Sequence, residues 1–407
     1  MAQKALQIAF DGNPVDQDFY ANILSLRIEE NTSIANTFHL QLATRLSDDG
    51  SSWSYLDDDR LALFVRVSIK VGFAGAGGLA GALSGVLGGG GNDGLIPLFD
   101  GYVTSFDFDI GSEPDNSRIV VGGMDTSVLM SLEEKIATWK NLSDSDIVQQ
   151  IVGAYGVTVQ ADSTATVHQE SDTTVVQRAT DIQFVRELAQ RNGLEFYFET
   201  DQDSGAIKAF FRAPQLDGAP QPDLAIQFGS QSNLRSFKAQ LTGQRPLAVK
   251  IEQIDVAGNS TSTTQVGVSQ LTNLGAVSAG ALIGGNLPAT SVKDNQAQML
   301  VLGPPTSNTG EMRTIAQAVL DEASWFITAQ GEVYGDAYQG VLRPHRLVLV
   351  KGAGGAYSGR YYVTRVLHEL KGDGSYTQTF EARRNGRGVN GTEQFGRSSL
   401  GVSIPGL

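Results

Sequence analysis

Residues 178–199 read RATDIQFVRELAQRNGLEFYFE, a stretch dense in charge that is either a catalytic cluster or a joint in a scaffold. Its periodicity decides between them. Ile182, Val185, Leu188 and Ala189 recur at helical spacing and predict a helix capped by Thr180 or Asp181. Asn192-Gly193 ends that helix, because glycine accepts the left-handed position just past a C-terminus, and LEFYFE follows as a strand. The same period sets Arg186, Glu187 and Arg191 on the solvent side. Asp181, Arg186, Glu187, Arg191 and Glu195 therefore read as the charged coat of a packed helix and its edge, not as a site.

An earlier stretch, NLSDSDIVQQIVGAYGVTVQAD (141–162), repeats the plan. Ser143 and Asp146 have capping-box spacing, and Ile147, Val148, Ile151 and Val152 share one helical face. Gly156 separates this helix from the strand VTVQA. Two helix–glycine–strand units in succession define a small α/β region.

On either side the period falls to two. Six runs in the first 123 residues (KALQIAFDG, YANILSLRIEEN, NTFHLQLAT, LALFVRVSIKVGF, LFDGYVTSFDFDI and NSRIVVGGMD) predict antiparallel strands of a sandwich or closed barrel. From residue 225 strands return in LAIQFG, LRSFKAQL and PLAVKIEQIDVAG, and again from GEVYG to YTQTFEARRN. A helix starting near Gly310 carries Met312, Ile315, Ala316, Val319, Leu320 and Ala323 on its apolar stripe. The uncharged run VGFAGAGGLAGALSGVLGGGG (71–91) is long enough to cross a bilayer, but its glycines contribute little to insertion and favour a loop between strands. A second Gly/Ala-rich run occupies 274–290.

Composition narrows the chemistry. The 407-residue chain has 30 basic and 44 acidic residues, a formal charge of −14, which argues against nucleic acid or an anionic membrane as main partner. With no cysteine, a disulfide framework, a thiol nucleophile and a zinc–thiolate site are excluded. The four histidines, His39, His168, His345 and His368, have no metal-binding spacing, and His39 and His368 fall inside strand patterns. No G-x-S-x-G or P-loop motif is present, and the glycine clusters at 75–81 and 352–359 miss the G-x-G-x-x-G spacing and do not sit between strand and helix as a dinucleotide site requires. TDQDSGAIK (200–208) begins like a calcium loop but has Arg212 where the twelfth-position acid belongs, and reads as a hairpin turn. A peptidoglycan-cleaving tail enzyme needs two carboxylates. The acids of LDDDR (56–60), with Asp57 and Asp59, and of LEEK (132–135), with Glu133 and Glu134, have no apolar pocket around them and read as solvated faces. We expect no enzyme, and assign no catalytic residue, cofactor site or metal site. MAQKALQIAFDG opens at once on a strand-like run, so no secretion signal is expected.

The ordered set SDIVQQIVGAYGV, TDIQFVRELAQRNGLEFYFE, GEVYG, LRP, LVLVKG, SGRYYVTRVLHEL and YTQTFEARRN resembles the baseplate hub family of contractile phage tails and contractile injection systems. That family includes the phage late control D proteins and the hub portion of type VI secretion spike proteins. The resemblance spans about residues 5–386. Where the family usually has Pro-Gly this chain has Pro344-His345, and its 71–94 insertion is longer. The resemblance implies a mainly β fold with an α/β insertion. It implies two tube-like antiparallel β-barrels, at 1–123 (with the Gly-rich insertion 71–94) and at 225–256 with 325–385. The α/β domain would span 124–224, a further insertion with a Gly/Ala loop and helix 257–324, and a tail 386–407. It also implies a homotrimer that joins the hexameric inner tube to a separate spike protein and contacts baseplate wedge proteins. Such a hub is assembled in the cytoplasm and then becomes part of a phage tail or injection particle, with no nucleic acid partner and no stable membrane insertion. The two rival readings are the tail enzyme and a membrane-inserting protein using residues 71–91.

Overall fold

Alternation drives the first strands, β1 (Ala5–Phe10), β2 (Ile23–Asn31), β3 (Thr37–Ala43), β4 (Arg66–Gly72), β5 (Ile96–Asp109) and β6 (Arg118–Asp125). The computed structural model describes residues 5–393, except 73–94, 114–115, 172–173, 203, 256–258, 287–297, 302–305, 307, 339 and 392. Apart from Val71 and Gly72, which end β4, the glycine-rich run and the loop and membrane readings placed on it lie outside the described residues. The apolar phase of each strand faces one core that contains Ile8, Leu26, Phe38, Ile69, Val103 and Val121. α1 (Gln17–Ala21), capped by Asp16, adds Phe19 to that core. Gly123 in β6 lies against the Phe38 ring and the Tyr102 carbonyl. A Cβ there would stand 2.2 Å from the ring, so only glycine fits.

The chain then builds the α/β unit: β7 (Glu134–Trp139), α2 (Asp144–Gly153), β8 (Thr158–Ala161), β9 (Val175–Thr180), α3 (Asp181–Arg191), β10 (Glu195–Thr200) and β11 (Ile207–Arg212). Both helices start in capping boxes, Ser143 with Asp146 and Thr180 with Gln183. Their apolar faces meet over Phe196, Phe198, Ala209 and Phe211 of the sheet β8–β11–β10.

β12 (Gln221–Ala225) and β13 (Leu234–Leu241) begin the second half. An excursion follows, made of β14 (Ala248–Asp255), β15 (Ser260–Val266), α4 (Ala279–Asn286), β16 (Gln298–Val301) and α5 (Thr309–Ala323). The chain returns as β17 (Ile327–Tyr334), β18 (Leu347–Lys351), β19 (Gly359–Lys371) and β20 (Tyr376–Arg384). Val348, Tyr361, Val366, Phe380 and their neighbours form a second core. From the second Gly/Ala run, Ala279, Leu282 and Ile283 of α4 pack on that core, so this run covers one side of it. Residues 248–255, expected in the second barrel, instead pair with β15 and β16 in a separate sheet, because Val249 and Ile251 bury against Met312, Ala316 and Leu320 of α5.

The two halves were expected as two closed barrels. Among the described residues they form instead one open sheet of 13 strands, ordered β13-β17-β20-β19-β2-β3-β6-β5-β4-β1, with Asn13–Pro14 beyond β1 and with β12-β18 joined to β19. The reason is the length of β19. Its first residues pair with β18 and its last seven with β2, so one strand serves both halves. A register shift after Val363 turns Val363 and Val366 to the same core. The far ends of the second half are tied by Asn233. Its side chain accepts from Ala225 N at 2.8 Å and donates to the Asp223 carbonyl at 2.8 Å, while its N–H donates to the Ala225 carbonyl at 3.0 Å.

Candidate functional site at the seam between the halves

Where β2 meets β19 the strand ladder carries a ladder of charge. Glu29 takes both guanidinium arms of Arg365 at 2.6 and 2.9 Å, and Arg27 meets Glu369 at 2.9 Å. Arg365 holds Glu29 below its ordinary range and is itself raised by that carboxylate. Bidentate geometry of this kind fixes register as well as adding energy.

One residue further, Glu30 points inward. Its Oε1 meets Arg343 Nη1 at 2.6 Å and its Oε2 meets His368 Nε2 at 3.0 Å. The other ring nitrogen of His368 faces the Tyr376 hydroxyl at 2.7 Å, and Arg343 also donates to the Pro97 and Leu98 carbonyls. Burial raises Glu30, but the Arg343 charge and the His368 contact outweigh it, so the carboxyl ends below its ordinary value. Burial pulls His368 below 6.5 against the pull of Glu30, so the imidazole is held neutral.

The α/β unit docks through a second buried cluster. Glu195 at the start of β10 meets His345 Nδ1 at 2.8 Å, the Tyr362 hydroxyl at 2.5 Å and Arg383 at 3.4 Å. The His345 ring stacks on Tyr197 with centroids 3.5 Å apart. Burial raises Glu195, and His345, Arg383 and Tyr362 together more than reverse it. His345 stands at φ 60°, a left-handed turn that glycine would take without strain. Within the unit, Asp144 accepts from His168 (2.9 Å), Arg191 Nε (2.7 Å) and Asn192 (2.6 Å). These partners overcome burial and hold its carboxyl at about 2.

Four residues of 178–199, Asp181, Arg186, Arg191 and Glu195, therefore differ from the sequence reading. Arg191 folds back onto Asp144 and Arg186 is half-buried, whereas Glu187 is exposed. Arg191 turns inward because α3 is covered beyond its apolar stripe, by α2 and by α5. Asp181 is buried too, and takes Lys135 at 2.6 Å, Tyr155 at 2.7 Å and Gln177 at 2.7 Å.

His168, His345 and His368 each sit in a different buried cluster, and His39 is exposed on β3. Among the described residues no group of three or more His, Asp or Glu could hold a metal ion. Asp58 caps a short 3-10 turn and clamps Arg60, while Asp57, Asp59, Glu133 and Glu134 are exposed. Asp201 accepts from Ser204 and from Lys208 at 2.5 Å, which makes 200–208 a hairpin turn. No helix among the described residues is long and apolar enough to cross a membrane.

Unpaired edges complete the surface. β4 pairs with β5 only as far as Tyr102, so among the described residues β5 beyond Val103 has β6 alone beside it. Phe108 there is 58% exposed and Ile110, just past its end, 42%. At the other end of the sheet β13 pairs, among the described residues, only with β17.

This fold is shared with proteins of phage tails and secretion machines. A tail protein of Neisseria meningitidis MC58 matches with a TM-score of 0.60 at 12% identity, over 94% of this chain and 97% of the other. The 43 kDa tail protein of prophage MuSo2 from Shewanella oneidensis gives 0.58 at 12%, over 94% and 98%. An E. coli component of the type VI secretion system, described as similar to the T4 tail proteins gp27 and gp5, gives 0.52 at 15%, over 93% and 76%. Among curated proteins none matches the chain. The Alg8 N-terminal domain model matches residues 90–372, more than half of the chain, and the chain belongs to that family.

Proposed function

We propose that this chain is the structural hub of a contractile injection system or phage tail baseplate. Three copies would form an adaptor between the hexameric inner tube and a separate trimeric spike, with baseplate wedge proteins outside. The reading rests mainly on one arrangement. Two six-stranded halves, each on its own core, are fused side by side through β2 and β19. Two such units per chain, taken three times, give six tube-like units on one face and threefold symmetry on the other. The tail and type VI matches support this reading, as do the open edges at Ser105–Asp109 and β13, which can meet neighbouring subunits. The action would be mechanical, with no catalytic step. The buried carboxylates described above are each satisfied by cations or hydrogen bonds, as a scaffold requires.

Native mass spectrometry tests the reading. With tube or spike protein present, the 43.3 kDa chain should appear as a trimer. A monomer that ignores both partners would contradict it.

A further inference from the structure

We propose that the cleft between α3, α5 and the Thr32–Ser33 loop receives a carboxylate side chain from a partner polypeptide, with Arg186 as its counter-charge. The cleft encloses about 500 Å³, within the range of ligand pockets and enough for a few side chains. It lies where the first half, the α/β unit and the excursion meet, so a segment bound there would touch all three.

The charged groups in its wall already have hydrogen-bonding partners, with one exception. Arg383 donates to both oxygens of Glu322 at 2.9 and 2.8 Å, reaches Glu195 at 3.4 Å, and lies 4.4 Å over the Trp325 ring. One cation thus answers two acids. Asp321 turns to the excursion, accepting from Ser269 at 2.7 Å, the Gln270 N–H at 2.7 Å and Gln317 at 3.0 Å. Arg186 has no hydrogen bond or ion pair among the described residues, and its Nε is buried without a partner. Burial disfavours the Arg186 charge and the Asp125 charge opposes that effect, while burial raises the Asp125 carboxyl itself. A guanidinium nitrogen buried without an acceptor is costly, and an oxygen delivered to it recovers that cost. Leu194, Pro214, Val319 and Trp325 supply apolar wall beside it. One cation without an acceptor, beside apolar wall, suits a single carboxylate carried on a peptide better than a free phosphate, which calls for several donors. This inference does not depend on the hub reading.

The probes are two capped tripeptides, acetyl-Leu-Glu-Leu-amide and acetyl-Leu-Gln-Leu-amide, with inorganic phosphate as the third arm, titrated calorimetrically into the full chain. The glutamate peptide should bind about tenfold more tightly than the glutamine peptide, the difference a charge-assisted hydrogen bond makes. Arg186→Gln should erase that preference and Arg186→Lys keep part of it, with the thermal midpoint showing that each variant is folded. Gln190→Trp, at an exposed position on the rim, should block both peptides without touching the core. Equal binding of the two peptides, no binding of either, phosphate binding as tightly as the glutamate peptide, or binding that survives Gln190→Trp would each overturn the proposal.

Discussion

Glu30 and Arg343 lie 313 residues apart in sequence and 2.6 Å apart in the fold, both nearly buried. Glu30 belongs to the first half and Arg343 to the loop before β18, so this pair closes the seam that β2 and β19 open. Removing one partner strands the other. Glu30→Gln should cost about 3–5 kcal/mol, while Glu30→Gln with Arg343→Met should recover a large part of it. Denaturant melts of the two single variants and the double variant give the coupling. Additive losses would mean that the pair is not the fastener.

The same cluster sets a pH dependence. His368 is depressed below 6.5 in the fold, so on acidification the unfolded chain takes up that proton first. Stability should therefore fall as pH drops below about 6.5, down to the depressed folded value. Glu30, depressed below 4.5, adds a further loss as pH falls through its folded value. The groups around the imidazole are Glu30, Arg343 and Tyr376. His368→Gln should flatten the upper part of the profile, and an unchanged slope there would exclude this assignment.

His345 makes two contributions of opposite sign. Its left-handed backbone costs about 1 kcal/mol relative to glycine, whereas its ring stacks on Tyr197 and bonds Glu195. His345→Ala loses the contacts and keeps the strain, so it should be less stable than His345→Gly by about 1 kcal/mol. Equal midpoints for the two variants would refute the account of that turn.

Phe108 separates folding from assembly. As a surface side chain its replacement by Asp should leave monomer stability within about 0.5 kcal/mol. If the Ser105–Asp109 edge meets a neighbouring subunit, the same change should shift the mass distribution from trimer to monomer. A variant that assembles like the parent would remove this edge from the proposed interface.

The strands and helices were legible because their periods are clean. Phe38, Leu40 and Leu42 alternate, and Ile147, Val148, Ile151 and Val152 share a stripe. The inward turn of Arg191 was not legible, since Asp144 and His168 reach it only through the packing of α2 on α3. The seam left one sign that could have been read. In SLRIEEN the inward phase runs Leu26, Ile28, Glu30, and an acid in that phase announces a buried partner. Nothing local could say that the partner was Arg343 or His368. Likewise β14 alternates as any barrel strand does, and only contact with α5 shows which sheet it joins.

The most direct test of the central claim is the end-on symmetry of the assembled particle by electron cryomicroscopy. The account predicts a ring of three chains showing six similar β lobes, two from each chain and joined within it through β2 and β19. A ring of six chains, or a particle in which each chain contributes one lobe, would contradict it.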